Sequence, residues 1–165
     1  MTAEELRALQ APLKDRYRAE PESALVTLHA RATLSDDVAC TVDTPRGRVE
    51  AGLHPATGGT GELACSGDML LEALVACAGV TLRAVATAMA IPVRGGTISA
   101  EGDLDFRGTL GVSKEAPVGF RAIRLHIDLD ADAAPEQLTK LIQLTERYCV
   151  IYQTLARPPA LEVVT

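Results

Sequence analysis

The chain has 165 residues, which is long enough to bury about two-thirds of the surface of its unfolded form in one core. Its formal net charge of -6 at pH 7 argues against nucleic-acid binding, because that binding depends on Lys and Arg neutralising phosphates. Aromatic residues make up only 3% and Trp is absent, which removes the stacking platforms of single-strand binders.

The first segment predicts an amphipathic helix from Ala3 to Arg18. Thr2 and Glu5 form a capping-box pattern at its start. Its apolar residues recur at spacings of three and four, namely Leu6, Leu9, Leu13 and Tyr17. Pro12 lies inside this pattern and could kink or split the helix, whereas Pro21 should stop any continuation.

Between Ala24 and Leu53 the apolar period changes to two, which predicts a three-stranded antiparallel meander. Its first strand carries the alternation from Val26 to Thr33, and the next two are expected at Val38–Val42 and Val49–Leu53. A glycine-rich loop from residue 54 to 67 should then lead into a helix. Sites are often built on loops at such positions.

A mostly apolar stretch from Met69 to Ile91 predicts a long helix, and its length raises the possibility of a membrane span. Glu72 and Arg83 lie within it, and charged side chains are costly in lipid, so a core helix is the better interpretation. All but one narrow polar line of its surface should be buried, including Cys77. Small residues from position 73 to 79 invite a second helix to pack closely.

The C-terminal half should hold a turn, two strands, a helix and a last strand. These are expected at Arg94–Gly96, Thr97–Phe106, Phe120–Leu129, Pro135–Leu155 and Leu161–Val164, in that order. Pro135 suits the first helical position, and Cys149 falls on the buried stripe of the helix.

The order of these elements has no sustained βαβ rhythm, which predicts an α+β fold. We expect residues 1–22 to form an N-terminal helix and residues 23–165 to form a single domain. The N-terminus lacks the basic and apolar regions of a secretory signal, so we expect a cytoplasmic protein without membrane attachment.

Four cysteines are the chemically distinctive residues: Cys40, Cys65, Cys77 and Cys149. They form no CxxC pair, and no HxxxH pair exists, so we expect neither a metal nor a cofactor. Cys77 and Cys149 lie on two predicted helices and could form a redox pair, in which a second thiol converts a sulfenic acid into a disulfide. From spacing alone, a small buried hydrophobic residue is the simpler explanation of Cys77, and Cys149 could equally be a packing residue.

Three further residues could line a site near the start of the long helix. Cys65 just precedes the helix N-terminus, where the dipole lowers a thiol pKa, so it competes as a nucleophile. His54 and Asp68 could line the site as well, although a solvated loop histidine and a helix-capping aspartate are the simpler explanations. Cys40 alternates within a strand and is most simply a core residue.

Two sequence runs carry a resemblance to a known family: SGDMLLEALVAC from Ser66 to Cys77, and ERYC from Glu146 to Cys149. Together they resemble the osmotically inducible and organic hydroperoxide resistance (OsmC/Ohr) proteins, in a divergent OsmC-like branch. The resemblance implies antiparallel sheets wrapped around long central helices in an intertwined homodimer. It also implies that Cys77 reduces an organic hydroperoxide, that Cys149 resolves it, and that a dithiol reductant restores both.

The start of the central helix departs from the family pattern. Active members usually carry Asn-Pro-Glu there, with the glutamate helping an arginine to activate the thiolate, whereas this chain has Cys65-Ser-Gly-Asp68. A redox-silent homodimer that binds a small apolar ligand, or a structural relic of the fold, therefore stays open. A cysteine-dependent hydrolase or transferase would need a base such as His54 within reach of Cys77.

Overall fold

The computed structural model describes all 165 residues and has the α+β fold that the sequence predicts, with antiparallel sheets and helices. The helices are α1 (Ala3–Ala19), α2 (Ser66–Ala88), α3 (Phe106–Thr109), α4 (Pro135–Tyr148) and α5 (Val150–Ala156). The strands are β1 (Arg31–Leu34), β2 (Ala39–Thr44), β3 (Gly47–Gly52), β4 (Val93–Asp103) and β5 (Ala122–Ala131). Short 3₁₀ turns span Pro21–Ala24 and Pro55–Thr57.

The chain divides into two compact units. The first consists of Met1–Val26, Ala73–Ser99 and His126–Thr165, and the second of Thr27–Glu72 and Ala100–Leu125. The first unit holds a core cluster of Leu82, Ala86, Ile91 and Leu141, which packs apolar residues of α2, α4 and the adjoining parts of β4 and β5. The second unit holds the three-stranded sheet. The expected division at residue 22 stays a prediction.

Helix α1 has the predicted capping box, with reciprocal hydrogen bonds between Thr2 and Glu5. The helix runs through Pro12 without a break and ends at Ala19, just before Pro21. None of its residues is buried, so its apolar stripe finds no core within the single chain.

The predicted meander is confirmed, since β1, β2 and β3 pair in that order and antiparallel. Its first strand begins at Arg31, later than expected. The register pairs Arg31 with Asp43, so continuing it two residues backwards would place His29 opposite Pro45. Proline has no N–H to donate and here opens the β2–β3 turn, which ends the pairing. Val26 and Leu28 stay exposed.

Helix α2 begins and ends three residues earlier than predicted. Its C-terminus forms a Schellman motif, in which the Ile91 N–H donates to the Ala86 carbonyl (2.9 Å) and the Ala90 N–H to the Thr87 carbonyl (3.1 Å). Ala90 adopts φ 55°, a left-handed conformation that usually belongs to glycine. Ile91 then packs on Ala86 in the core cluster.

Only one line of α2 is buried, at every fourth residue: Leu74, Ala78, Leu82 and Ala86. The prediction that nearly all of this helix is buried is therefore wrong for the single chain. Val80, for example, is 74% exposed. The helix is long and apolar enough to cross a membrane by length and composition, which is weak support because core helices of soluble proteins pass the same test.

The predicted turn at Arg94–Gly96 is wrong, because these residues belong to β4, which pairs with β5. Gly96 has φ 154°, and a Cβ there would lie 2.4 Å from the Asp128 carbonyl oxygen, so only glycine fits. An ion pair between Arg94 and Asp130 bridges the two strands at this point.

The C-terminal elements also differ from the prediction. The single helix expected over Pro135–Leu155 is broken at Cys149 into α4 and α5. The strand expected at Leu161–Val164 does not form, because no strand of the chain pairs with it. Leu161 stays exposed.

Candidate functional site

The break at Cys149 creates the main chemical feature of the first unit. Cys149 has extended backbone angles (φ -73°, ψ 109°), while its N–H still donates to the Thr145 carbonyl at the end of α4. Helix α5 restarts at Val150, and the Gln153 N–H donates to the Cys149 carbonyl (2.9 Å). The first N–H groups of a helix have no intrahelical acceptor. Those of α5 are therefore available to a neighbouring group.

That neighbouring group is the half-buried thiol of Cys77 on α2. Burial raises the pKa of Cys77, but hydrogen bonds to its sulfur outweigh burial and hold the pKa below its ordinary value. The donors are, in decreasing effect, the Ile151 N–H, the Cys149 thiol, the Val150 N–H and the Thr81 hydroxyl. Two main-chain donors and two side chains thus stabilise a thiolate at Cys77.

Cys149 has the opposite tendency. It is only 1% exposed, and burial raises its pKa. The hydrogen bond to Cys77 and the negative charge of that thiolate raise the Cys149 pKa further, while N–H groups of Tyr152 and Ile151 partly offset this. Cys77 therefore ionises first, and Cys149 stays protonated as its hydrogen-bond donor.

This arrangement separates the two roles that thiol redox chemistry requires. Cys77 is the better nucleophile because more of it is thiolate at neutral pH. The Cys149 thiol is a hydrogen-bond donor to it and therefore adjoins the sulfur that an oxidant would attack. The sequence pointed to both cysteines but not to Thr81, whose only signal was a hydroxyl four residues after Cys77 on the same helix face.

The other predicted site residues meet in the second unit. His54, Cys65 and Asp68 line one cavity of about 360 Å³, together with Phe106 and Phe120, which the sequence analysis did not single out. No local pattern connects residues so far apart in the chain.

His54 is held in one tautomer. Its Nδ1 accepts a hydrogen bond from the Ala56 N–H (3.0 Å), so the proton of the neutral ring lies on Nε2. In this form neither nitrogen is available to take a proton from a thiol, which argues against His54 as the base of a cysteine-dependent hydrolase.

Two other features bear on the chemistry. Cys40 lies in β2 opposite Ala51 and is half-buried, as expected of a packing residue. No three His, Cys, Asp or Glu side chains lie close enough to hold a metal ion.

A family model described as OsmC-like protein matches residues 59–164, more than half of the chain. The chain belongs to the OsmC-like protein family. The matched region includes Cys65, Cys77 and Cys149. Among curated proteins, no sequence matches this chain.

Solved structures of OsmC-like proteins share the fold. An OsmC-like protein from Mycoplasma pneumoniae is 19% identical, with a TM-score of 0.68 over 81% of this chain and 89% of that one. An organic hydroperoxide resistance protein from Elizabethkingia anophelis is 20% identical, with a TM-score of 0.64 over 82% and 91%. Another from Legionella pneumophila is 19% identical, with a TM-score of 0.64 over 81% and 92%. At these identities the similarity establishes the fold.

Proposed function

We propose that this OsmC-like protein is a thiol-dependent peroxidase that reduces organic hydroperoxides, with Cys77 as the peroxidatic and Cys149 as the resolving thiol. One observation carries the proposal: the two sulfurs are hydrogen-bonded and have pKa values shifted in opposite directions. The names of neighbouring structures as organic hydroperoxide resistance proteins add support.

The chemistry balances with these two residues and one external reductant. The Cys77 thiolate attacks the terminal oxygen of ROOH, the O–O bond breaks, and RO⁻ takes a proton to leave as ROH. Cys77 is then a sulfenic acid, which the Cys149 thiol attacks to form the Cys77–Cys149 disulfide and release water. A dithiol reductant exchanges with this disulfide, restores both thiols and is itself oxidised to a disulfide.

The source of thiolate stabilisation bears on the missing glutamate of the family pattern. Here main-chain N–H groups of α5 and the Thr81 hydroxyl are placed to donate to the Cys77 sulfur. These donors need no glutamate, so the Cys65-Ser-Gly-Asp68 sequence does not argue against a reactive Cys77.

Apolar surroundings support an organic rather than a small polar peroxide. Leu74 and Ala78 are buried beside Cys77 along α2, and Val150 and Ile151 carry aliphatic side chains at the start of α5. Such a site favours a peroxide with a hydrocarbon substituent, because desolvating apolar surface is favourable. The expected rate order is cumene hydroperoxide above hydrogen peroxide.

We also propose that the protein acts as a homodimer in the cytoplasm. Val80 lies on the mostly apolar helix α2 and is 74% exposed, and small residues beside it allow another helix to approach closely. Light scattering should give a mass twice the 17.4 kDa of one chain. If the interface is obligate, apparent stability should rise with protein concentration.

The central test is mass spectrometry of the reduced protein after one equivalent of cumene hydroperoxide. The wild type should lose two hydrogens, mapped to a Cys77–Cys149 disulfide. Cys149→Ser should instead accumulate a dimedone-reactive sulfenic acid at Cys77, and Cys77→Ser should form neither product. Cys40→Ser is the matched control and should behave like the wild type.

Two results would contradict the proposed roles of Cys77 and Cys149. Activity lost in Cys65→Ser but retained in Cys77→Ser would place the nucleophile before α2. No disulfide and no sulfenic acid in any variant would favour the redox-silent homodimer that binds a small apolar ligand.

A further inference from the structure

We propose that the cavity in the second unit is a binding site for a small planar aromatic ligand that carries a positive charge. We call it the aromatic cavity and define it by His54, Cys65, Asp68, Asp103, Phe106 and Phe120. The proposal goes beyond the peroxidase function and uses neither Cys77 nor Cys149.

The shape of the ligand follows from the rings that line the cavity. The chain has only two phenylalanines, and both are here. The His54 ring stacks on Phe106 with centroids 4.8 Å apart and planes inclined by 15°. Flat aromatic rings of this kind favour a planar ligand, through stacking.

Two glycines leave room for the third ring of the cavity, that of Phe120. A Cβ at Gly102 would lie 2.5 Å from Phe120, and one at Gly67 would lie 3.5 Å from the tip of the same ring. Any side chain at Gly102 would therefore displace Phe120. The resulting volume of about 360 Å³ is within the usual range of small-molecule sites, about 300–1,000 Å³.

The charge of the ligand follows from the two carboxylates. Asp103 receives two hydrogen bonds from the Arg124 guanidinium (2.7 and 2.8 Å), which neutralise it. Asp68 also lines the cavity, and no Lys or Arg does. The Nδ1 of His54 accepts the Ala56 N–H, and no ion pair involves Asp68, so the Asp68 carboxylate is the unpaired formal charge of the lining, which attracts a cation and repels an anion.

Three probes of nearly the same size and shape test this: benzamidine, benzamide and benzoate, which are cationic, neutral and anionic. Titration calorimetry on the reduced wild-type protein should rank them in that order. We expect benzamidine to bind about fivefold more tightly than benzamide, the effect of one partly solvated ion pair. Equal affinities, a preference for benzoate, or no binding of benzamidine at millimolar concentration would overturn the proposal.

Asp68→Asn is the decisive variant because it keeps the size of the side chain and removes its charge. Benzamidine affinity should fall to that of benzamide, while benzamide affinity stays unchanged. Asp36→Asn, at an exposed aspartate outside the cavity, is the matched control and should change neither. Unchanged benzamidine binding in Asp68→Asn would refute the role of the charge.

Cys65 provides a second measurement that does not depend on peroxidase activity. Alkylation of Cys65 by N-ethylmaleimide, followed on its peptide by mass spectrometry, should slow when benzamidine occupies the cavity. Labelling of Cys40, which lies in β2 outside the cavity, should not change. Equal protection of both cysteines, or of neither, would place the ligand elsewhere. A failed peroxidase assay would leave this result untouched.

Discussion

The Thr81 hydroxyl gives a direct test of how the Cys77 thiolate is stabilised. Thr81→Val keeps the shape of the side chain but removes the hydrogen bond to the sulfur. A hydrogen bond to a charged group contributes about 1.5–3 kcal/mol, and Thr81 is the weakest donor to a half-buried group, so we take about 1 kcal/mol. The pKa of Cys77 should rise, and the thiolate population at pH 7 should fall about fivefold.

The assay is the rate of Cys77 alkylation by iodoacetamide as a function of pH, read from the peptide that contains Cys77. Wild type and Thr81→Val should differ near neutral pH and converge at high pH, where both are fully ionised. Thr87→Val is the matched control, because that hydroxyl donates to the Arg83 carbonyl on the same helix (2.8 Å). Identical pH profiles for wild type and Thr81→Val, or an equal shift in Thr87→Val, would refute the reasoning.

Three predictions concern stability, measured by urea denaturation. Ala90→Gly should stabilise the protein by about 1 kcal/mol, because φ is 55° there, whereas Ala88→Gly within α2 should destabilise it by a similar amount. Gly96→Ala should destabilise the protein by about 2 kcal/mol or more, since its Cβ would lie 2.4 Å from a carbonyl oxygen. Gly95→Ala is the control, because its Cβ would have no atom within 4 Å. Side-chain hydrogen bonds from an arginine lower the pKa of Asp105 to about 2, so its contribution is present above pH 4 and lost toward pH 2. Asp105→Asn should therefore lower the denaturation midpoint at pH 6 but not at pH 2.

Periodicity predicted most of the elements but not their ends. The alternation in residues 24–53 predicted the meander, yet the start of β1 depends on Pro45, which the register would place opposite His29. Helix α2 ends in a left-handed residue that is usually glycine. Because Ala90 occupies that position, the sequence carried no stop signal before Pro92.

The candidate site was predictable in its residues but not in its geometry. The apolar stripe from Leu138 to Tyr152 continues through Cys149, so nothing in the helical period revealed the break between α4 and α5. The two main-chain donors to Cys77 exist only because of that break. The aromatic cavity was hidden for another reason, since His54, Phe106 and Phe120 meet through tertiary structure alone.

A proline after the resolving cysteine would separate thiolate stabilisation from fold stability. Val150 is the first residue of α5, where proline is favoured, and the extended backbone of Cys149 suits a residue that precedes proline. Val150→Pro should therefore keep the fold, and the reduced freedom of the unfolded chain, about 0.4–1 kcal/mol, should offset the loss of the hydrogen bond from the Val150 N–H.

The same change removes the Val150 N–H that donates to the Cys77 sulfur. The pKa of Cys77 should rise and its alkylation at pH 7 should slow, although the stability of the protein stays nearly unchanged. Val150→Ala keeps the N–H and is the control. Because general loosening of the site would lower stability and reactivity together, only loss of a specific main-chain donor predicts slower alkylation without a loss of stability. An unchanged pH profile in Val150→Pro would show that the Cys77 thiolate does not depend on this donor.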